Sequence, residues 1–96
     1  PIEVPVRWRL GDNTDFQRAG LSEISVGGAL LRGPEQPPVG CSVIVEVTLP
    51  GAVSPIEITG KVTYHTDEPA TGIKFIYRDG GGSRRLRELV RRLKYQ

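Results

Sequence analysis

The residues of this chain that could do chemistry are few, and their spacing does not match a catalytic site. His65 is the only histidine, and it falls in the polar phase of its predicted strand with no second acid or base tied to it by spacing. Ser25 lacks the G-x-S-x-G turn of a serine hydrolase, because Glu23 stands where the first glycine belongs. The stretch "DGGGS" (79–83) lacks the lysine and the second-glycine spacing of a phosphate-binding P-loop. We therefore expect no catalytic residues and no enzyme.

Metal ligands and disulfides are equally unsupported. A metal site needs clustered Cys, His or carboxylate residues at ligand spacing, and the sequence shows no such cluster, so we expect no metal and no cofactor. Cys41 is the only cysteine, which excludes an internal disulfide and suits a reducing compartment. No apolar run approaches the roughly 20 residues that a membrane-spanning helix needs. These features predict a cytoplasmic location without a membrane span.

The segment "LSEISVGGALLRG" (21–33) is the best candidate for ligand binding. Ser25 precedes Gly27 and Gly28 between two apolar runs. A serine hydroxyl and the backbone amides of such a turn could receive a phosphate or a purine edge, and glycines permit close approach. The alternative is a turn that only reverses the chain.

Positive charge is concentrated in the C-terminal segment. The formal net charge of the whole chain is +2. Residues 83–96 contain six arginines and lysines and one glutamate, a local +5, which leaves −3 on the residues before them. This segment could contact a nucleic acid or an acidic protein, or it could be the solvated face of a helix. The candidates for partner contact are Arg84, Arg85, Arg91 and Arg92.

The elements that must position these residues follow from the hydrophobic pattern. Strict alternation of apolar residues over Ile2 to Leu10 predicts a half-buried strand, which Pro5 places at a sheet edge or at a bulge. Apolar residues at i, i+3, i+4 and i+7 from Leu86 predict an amphipathic helix. With 96 residues in a single domain (1–96), the pattern indicates an antiparallel barrel or sandwich. The predicted strands are about 2–10, 16–25, 28–32, 42–49, 55–65 and 71–77, with a helix at about 83–94.

The aromatic residues bear on nucleic-acid binding. Trp8, Tyr64, Phe75 and Tyr77 all fall in phases that we predict to be buried. Few rings are then left to stack on unpaired bases, as single-strand binders require. We therefore expect that nucleic acid is not the main partner.

In this context the segment resembles the PilZ domain family, whose second motif reads D/N-x-S-x-x-G. Ser25 and Gly28 match this motif, Gly27 matches a frequent neighbour, and Glu23 occupies the Asp/Asn position. The likeness extends to Gly60-x-Val62, to "GIKF" (72–75) and to the closing helix. It implies a mainly β fold, a six-stranded antiparallel PilZ-type barrel with a C-terminal helix. It also implies a bacterial module of a family that includes cyclic di-GMP receptors.

The family's other signature, R-x-x-x-R before the first strand, is not retained in this chain. When "EVPV" (3–6) is aligned on the family's usual "RVPV", Glu3 stands where the second arginine belongs, and the first would precede Pro1. Arg7 and Arg9 share the outward phase of Glu3 and could partly substitute, or they could be solvated cations. Two carboxylates, on Glu3 and Glu23, then face a dianionic ligand, and a misplaced like charge typically costs about 1 kcal/mol or more.

Three hypotheses for function follow. The first is a PilZ-like signalling domain that binds cyclic di-GMP weakly or not at all and acts by contacting a protein partner, in motility or another pathway. The second is an active cyclic di-GMP receptor whose arginines lie upstream of Pro1. The third is a small nucleic-acid-binding barrel that uses the basic C-terminal helix.

Overall fold

A computed structural model describes residues 3–48, 51, 53–76, 88, 91 and 92. Six antiparallel strands form a closed barrel in the spatial order β1-β2-β3-β6-β5-β4. The predicted six-stranded antiparallel barrel is therefore confirmed. The strands are β1 (Val4–Leu10), β2 (Gln17–Ser22), β3 (Gly28–Arg32), β4 (Ser42–Val47), β5 (Ile56–Thr66) and β6 (Ala70–Phe75).

The barrel interior is filled by the apolar phase of each strand. In β1 the buried positions are Val4, Val6 and Trp8, and the intervening residues face outward. Burying a side chain of this size contributes about 1.5–3 kcal/mol relative to leaving it exposed. The other members of the buried cluster are Leu21, Ala29, Leu31, Val43, Val45, Val47, Ile58, Val62, Ile73 and Phe75.

Strand β1 is not an edge strand, so of the two alternatives that Pro5 suggested, a sheet edge or a bulge, the sheet edge was wrong. It pairs with β2 on one side and with β4 on the other. Pro5 is paired only with Gly20 of β2, because the pairing with β4 starts one residue later, at Val6 opposite Val47. The proline is tolerated because it lies before the ladder with β4 begins, so no hydrogen bond to β4 needs the N–H that proline lacks.

Strand β2 ends three residues earlier than the sequence pattern predicts, at Ser22. Glu23 has a φ of 51°, in the left-handed region, which an extended strand cannot contain. The chain turns from there, and the Ser25 amide donates to the carbonyl oxygen of Gly28 at 2.8 Å. Strand β3 then begins at Gly28.

Strand β5 contains an irregularity that changes the direction of one aromatic ring. The pairing with β6 shifts register between Val62 and Tyr64, so Thr63 is an extra residue, as in a β-bulge. Tyr64 consequently turns outward and is 51% exposed. The prediction that Tyr64 lies in a buried phase was wrong, because simple alternation cannot include the extra residue.

The predicted C-terminal helix falls largely outside the described residues. Glu88, Arg91 and Arg92 have helical backbone and exposed side chains, whereas Arg84 and Arg85 lie outside the described part. The extent of the helix therefore stays a prediction. Within the described part of the chain, no helix is both long enough and apolar enough to cross a bilayer.

Candidate functional site

A groove of about 430 Å³, with both polar and apolar lining, lies on the outer face of the barrel, where β3, β6 and β5 are neighbours. One end is formed by the turn between β2 and β3, and the walls come from outward positions of the three strands. The site therefore combines a sequence-local turn with residues more than 30 positions further along the chain. The principal lining residues are Glu23, Ser25, Gly27, Gly28, Leu30, Thr63, Tyr64, Gly72 and Lys74.

The Ser25 hydroxyl is fully engaged within its own turn. Its Oγ accepts from the amides of Gly27 and Gly28, each at 3.3 Å, and donates to the carbonyl oxygen of Gly28 at 3.3 Å. A serine hydroxyl has one donor and two acceptor sites, so these contacts use all of them. In this structure Ser25 shapes the turn, and its hydroxyl would reach a ligand only by giving up one of these bonds.

The two adjacent glycines of the turn are required to different degrees. Gly28 faces Lys74 of β6, and a Cβ added to Gly28 would overlap the carbonyl oxygen of Ile73. At Gly27 a Cβ would meet only the Ser25 Oγ, at 3.9 Å. The Gly27 carbonyl accepts from the Phe75 amide at 2.9 Å, which ties the turn to the end of β6. Only Gly28 therefore allows the close approach on which the turn depends.

The two carboxylates singled out by the sequence lie in different places. Glu23 is exposed and lines the groove beside Ser25. Glu3 is also exposed, but its side chain lies across Gly20 of β2, where a Cβ would overlap it, and it is not part of the groove lining. The structure thus brings one of the two carboxylates to the groove.

Arg7 and Arg9 do not line the groove either. The Arg7 Nε donates to the Glu46 Oε1 of β4 at 2.8 Å, and the Arg7 guanidinium lies 4.2 Å from the centroid of the Phe16 ring. The Arg9 Nη1 donates to the backbone carbonyls of Leu10, at the end of β1, and of Gly11 and Asn13, in the β1–β2 connection. Arg7 thus links β1 to β4, and Arg9 stabilises the connection that follows β1.

Sequence reasoning missed Tyr64, Gly72 and Lys74. Gly72 of β6 pairs with Leu30 on one side and Tyr64 on the other, and the Tyr64 ring lies over it so closely that a Cβ on Gly72 would overlap the ring. Lys74 is exposed in the same outward phase of β6. The polar position of Lys74 in "TGIKFIY" was a usable signal for an outward side chain. The bulge that exposes Tyr64 had no such signal.

The fold and the groove define the class of protein: a small closed antiparallel barrel with an open groove beside a serine-glycine turn. The sequence profile of the PilZ domain matches residues 1–92. The chain therefore belongs to the PilZ domain family, as the sequence resemblance predicted. PilZ domains are binding and regulatory modules of the cyclic di-GMP receptor type.

A solved structure has the same fold at low sequence identity. It is described as the crystal structure of the PilZ domain of CeSA from a cellulose-synthesizing bacterium. It superposes with a TM-score of 0.80 at 15% identity, covering 99% of this chain and 96% of that chain. No curated protein sequence matches this chain. At this identity the likeness to the solved structure shows the fold alone.

Proposed function

We propose that this PilZ domain is a regulatory module with a weakened cyclic di-GMP site, which acts by contacting a protein partner in a signalling pathway such as motility. The observation that carries the proposal is the Glu23 carboxylate in the groove lining, beside the retained Ser25 and Gly28. The turn keeps the serine and the last glycine of the D/N-x-S-x-x-G pattern. Glu23, one methylene longer than the Asp of that pattern, sets a carboxylate in the lining where a dianionic ligand would lie.

Electrostatics support weak binding. Cyclic di-GMP carries two phosphates, and a like charge placed next to a ligand charge costs affinity. Among the described groove residues Lys74 is the only cation and Glu23 the only carboxylate, so their formal charges sum to zero. Arginine is better suited than lysine to gripping phosphate in a bidentate manner, but Arg7 and Arg9 are engaged elsewhere. The groove therefore lacks the bidentate phosphate contacts that would offset the carboxylate.

Calorimetric titration with cyclic di-GMP tests the proposal on the unmodified chain and on a Glu3→Arg, Glu23→Asp double variant. We expect the unmodified chain to bind more weakly than the micromolar range. The double variant should bind at least about tenfold more tightly, since Glu3→Arg restores the arginine of the family pattern before β1 and Glu23→Asp shortens the groove carboxylate while keeping its charge. Micromolar binding by the unmodified chain would contradict the proposal.

A matched control distinguishes the effect of a charge at position 3 from the effect of the net charge of the whole chain. Glu57 is exposed on β5, lies opposite Glu46 of β4 and is not part of the groove lining. Glu57→Arg makes the same change in net charge as Glu3→Arg, on another part of the barrel. We expect this control to change the affinity less than twofold at physiological salt, where charges more than about 8 Å apart are largely screened.

The intact turn favours one alternative, an active receptor completed by arginines that precede Pro1 in a longer parent chain. The same titration with such a longer chain distinguishes the two proposals. Tight binding that depends on upstream arginines would favour the alternative, whereas unchanged weak binding would favour the first proposal.

A further inference from the structure

We infer that Tyr64 and Lys74 form a recognition pair for a purine nucleotide, with the base stacked on the Tyr64 ring and a phosphate held by the Lys74 ammonium. The inference rests on the proposed function and deepens it. It assigns the remaining affinity of the groove to residues of β5 and β6, which lie outside the D/N-x-S-x-x-G and R-x-x-x-R patterns.

The Tyr64 ring is a supported and accessible platform. One side rests on the backbone of Gly72, because that residue has no side chain to hold the ring away. About half of the Tyr64 surface remains exposed, on the side that lines the groove. Across Gly72, the half-buried Leu30 of β3 lies in the same row of the sheet. A flat heteroaromatic ring could stack on this surface, and aromatic side chains stack bases of any sequence.

The Lys74 ammonium is available for an anion. Its direct neighbours across the sheet are Gly28, which has no side chain, and Lys61, which carries the same charge. The ion pairs found among the described residues are Arg7–Glu46 and Arg32–Glu68, and Lys74 takes part in neither. Two lysines side by side, neither of them in these ion pairs, make this part of the outer face favourable for a phosphate, with Glu23 as the one carboxylate among the described residues that line the same groove.

The spacing of the two groups suits one nucleotide. Gly72, which supports the Tyr64 ring, and Lys74 are two residues apart on the same face of β6, so their Cα atoms lie roughly 7 Å apart along the strand. A phosphate is joined to its base through a single sugar, so both can be reached at once from this spacing. An isolated inorganic anion would use Lys74 alone, and an extended peptide would find no unpaired strand edge in the described barrel.

The test is an NMR titration of the unmodified chain with 5′-GMP, guanosine and ribose 5-phosphate. We expect 5′-GMP to shift the resonances of the Tyr64 ring, Gly72 and Lys74, and ribose 5-phosphate to shift those of Lys74 only. Tyr64→Leu should weaken 5′-GMP binding by about tenfold and leave ribose 5-phosphate unchanged. Tyr64→Phe, which keeps the ring, should retain the binding.

Two lysine variants that each remove one positive charge test the phosphate contact. Lys74→Gln should weaken both phosphorylated probes by about three- to tenfold, with a larger effect at low salt. Lys61→Gln removes the same charge from the facing position of β5, outside the groove lining, and should have less than half that effect. Equal losses in both lysine variants, no groove shifts with 5′-GMP, or no loss in Tyr64→Leu would overturn the inference.

The proposed function and the recognition pair can each fail without the other. If the Glu3→Arg, Glu23→Asp variant gains affinity for cyclic di-GMP and adding Tyr64→Leu does not reduce it, the recognition pair is wrong and the weakened site stands. If the unmodified chain binds cyclic di-GMP in the micromolar range and loses it in Tyr64→Leu and Lys74→Gln, the recognition pair stands and the weakened site is wrong.

Discussion

At the scale of single residues, Gly27 and Gly28 are adjacent in the sequence but differ in their surroundings. A Cβ at Gly28 would overlap the Ile73 carbonyl oxygen of the neighbouring strand, which is backbone and cannot rotate away. We expect Gly28→Ala to lower the free energy of unfolding by about 2 kcal/mol, since overpacking typically costs 1–3 kcal/mol. Gly27→Ala is the matched control and should change it by less than about 0.5 kcal/mol. Urea denaturation measures both, and equal losses would contradict the assignment.

Glu23 has a left-handed backbone, which is costly for most residues and easier for asparagine. Glu23→Asn should therefore raise the free energy of unfolding by about 0.5 kcal/mol. Glu23→Gln keeps the length of the side chain and removes the charge, so it separates the backbone effect from the electrostatic one. An equal gain in both variants, measured by urea denaturation, would show that charge and not backbone conformation is responsible.

Thr71 is fully buried, and its Oγ1 has no hydrogen-bond partner among the described residues. Valine has nearly the same shape and no hydroxyl to desolvate. We expect Thr71→Val to raise the free energy of unfolding by about 1 kcal/mol, because an unsatisfied buried polar group costs about 1–3 kcal/mol. Thr71→Ser retains the hydroxyl and loses a methyl group, so it should be destabilising. A loss of stability in Thr71→Val on thermal denaturation would mean that the hydroxyl has a partner in the folded protein.

At the scale of secondary structure, the pairing of Tyr64 with Gly72 couples the β5 bulge to β6. A methyl group on Gly72 would overlap the Tyr64 ring, so Gly72→Ala should displace the ring and destabilise the barrel by about 1–2 kcal/mol. In a Tyr64→Ala background the same substitution should cost clearly less. A double-mutant cycle in urea measures this coupling, and additive effects would show that the ring does not rest on Gly72.

The strands themselves show which parts of the fold can be predicted from sequence. β1 could be predicted because Val4, Val6 and Trp8 alternate with polar residues and one face is buried. The end of β2 could be predicted only in part: the apolar spacing slips between Leu21 and Ile24, which indicates a bend, but Ile24 extends the apolar pattern beyond the left-handed Glu23. Hydrophobic periodicity records which side chains are buried, and it does not record where the backbone turns or bulges.

The groove likewise has one part that could be predicted from the sequence and one part that could not. Its turn could be predicted because Ser25 and Gly28 interact within four residues. Its β5 and β6 walls could not, because β3 is adjacent to β6 and not to β4 in the barrel. That pairing brings Gly28 beside Lys74, and no local pattern encodes it. The non-local half of the site therefore needed the structure.

At the scale of the whole molecule, the barrel has one apolar core, and Trp8 reports on it. Trp8 is the only tryptophan in the chain and is 5% exposed. It lies on β1, opposite Val45 in the ladder with β4 that closes the barrel. We expect Trp8 fluorescence and far-UV circular dichroism to give the same urea midpoint, as a single cooperative domain requires. Separate midpoints would show that the β1–β4 seam opens before the rest of the barrel.

The closed ring of strands also has a consequence for how such a domain diversifies. In the described barrel each strand uses its backbone hydrogen bonds on both sides, so a new partner cannot be recruited by strand addition. Any change of specificity must come from the outward side chains and the connecting turns. Those positions can be exchanged with little effect on the core, which is consistent with a TM-score of 0.80 at only 15% identity. The core can therefore stay the same while the outer surface is exchanged, which makes the barrel a suitable scaffold for engineering new binding surfaces.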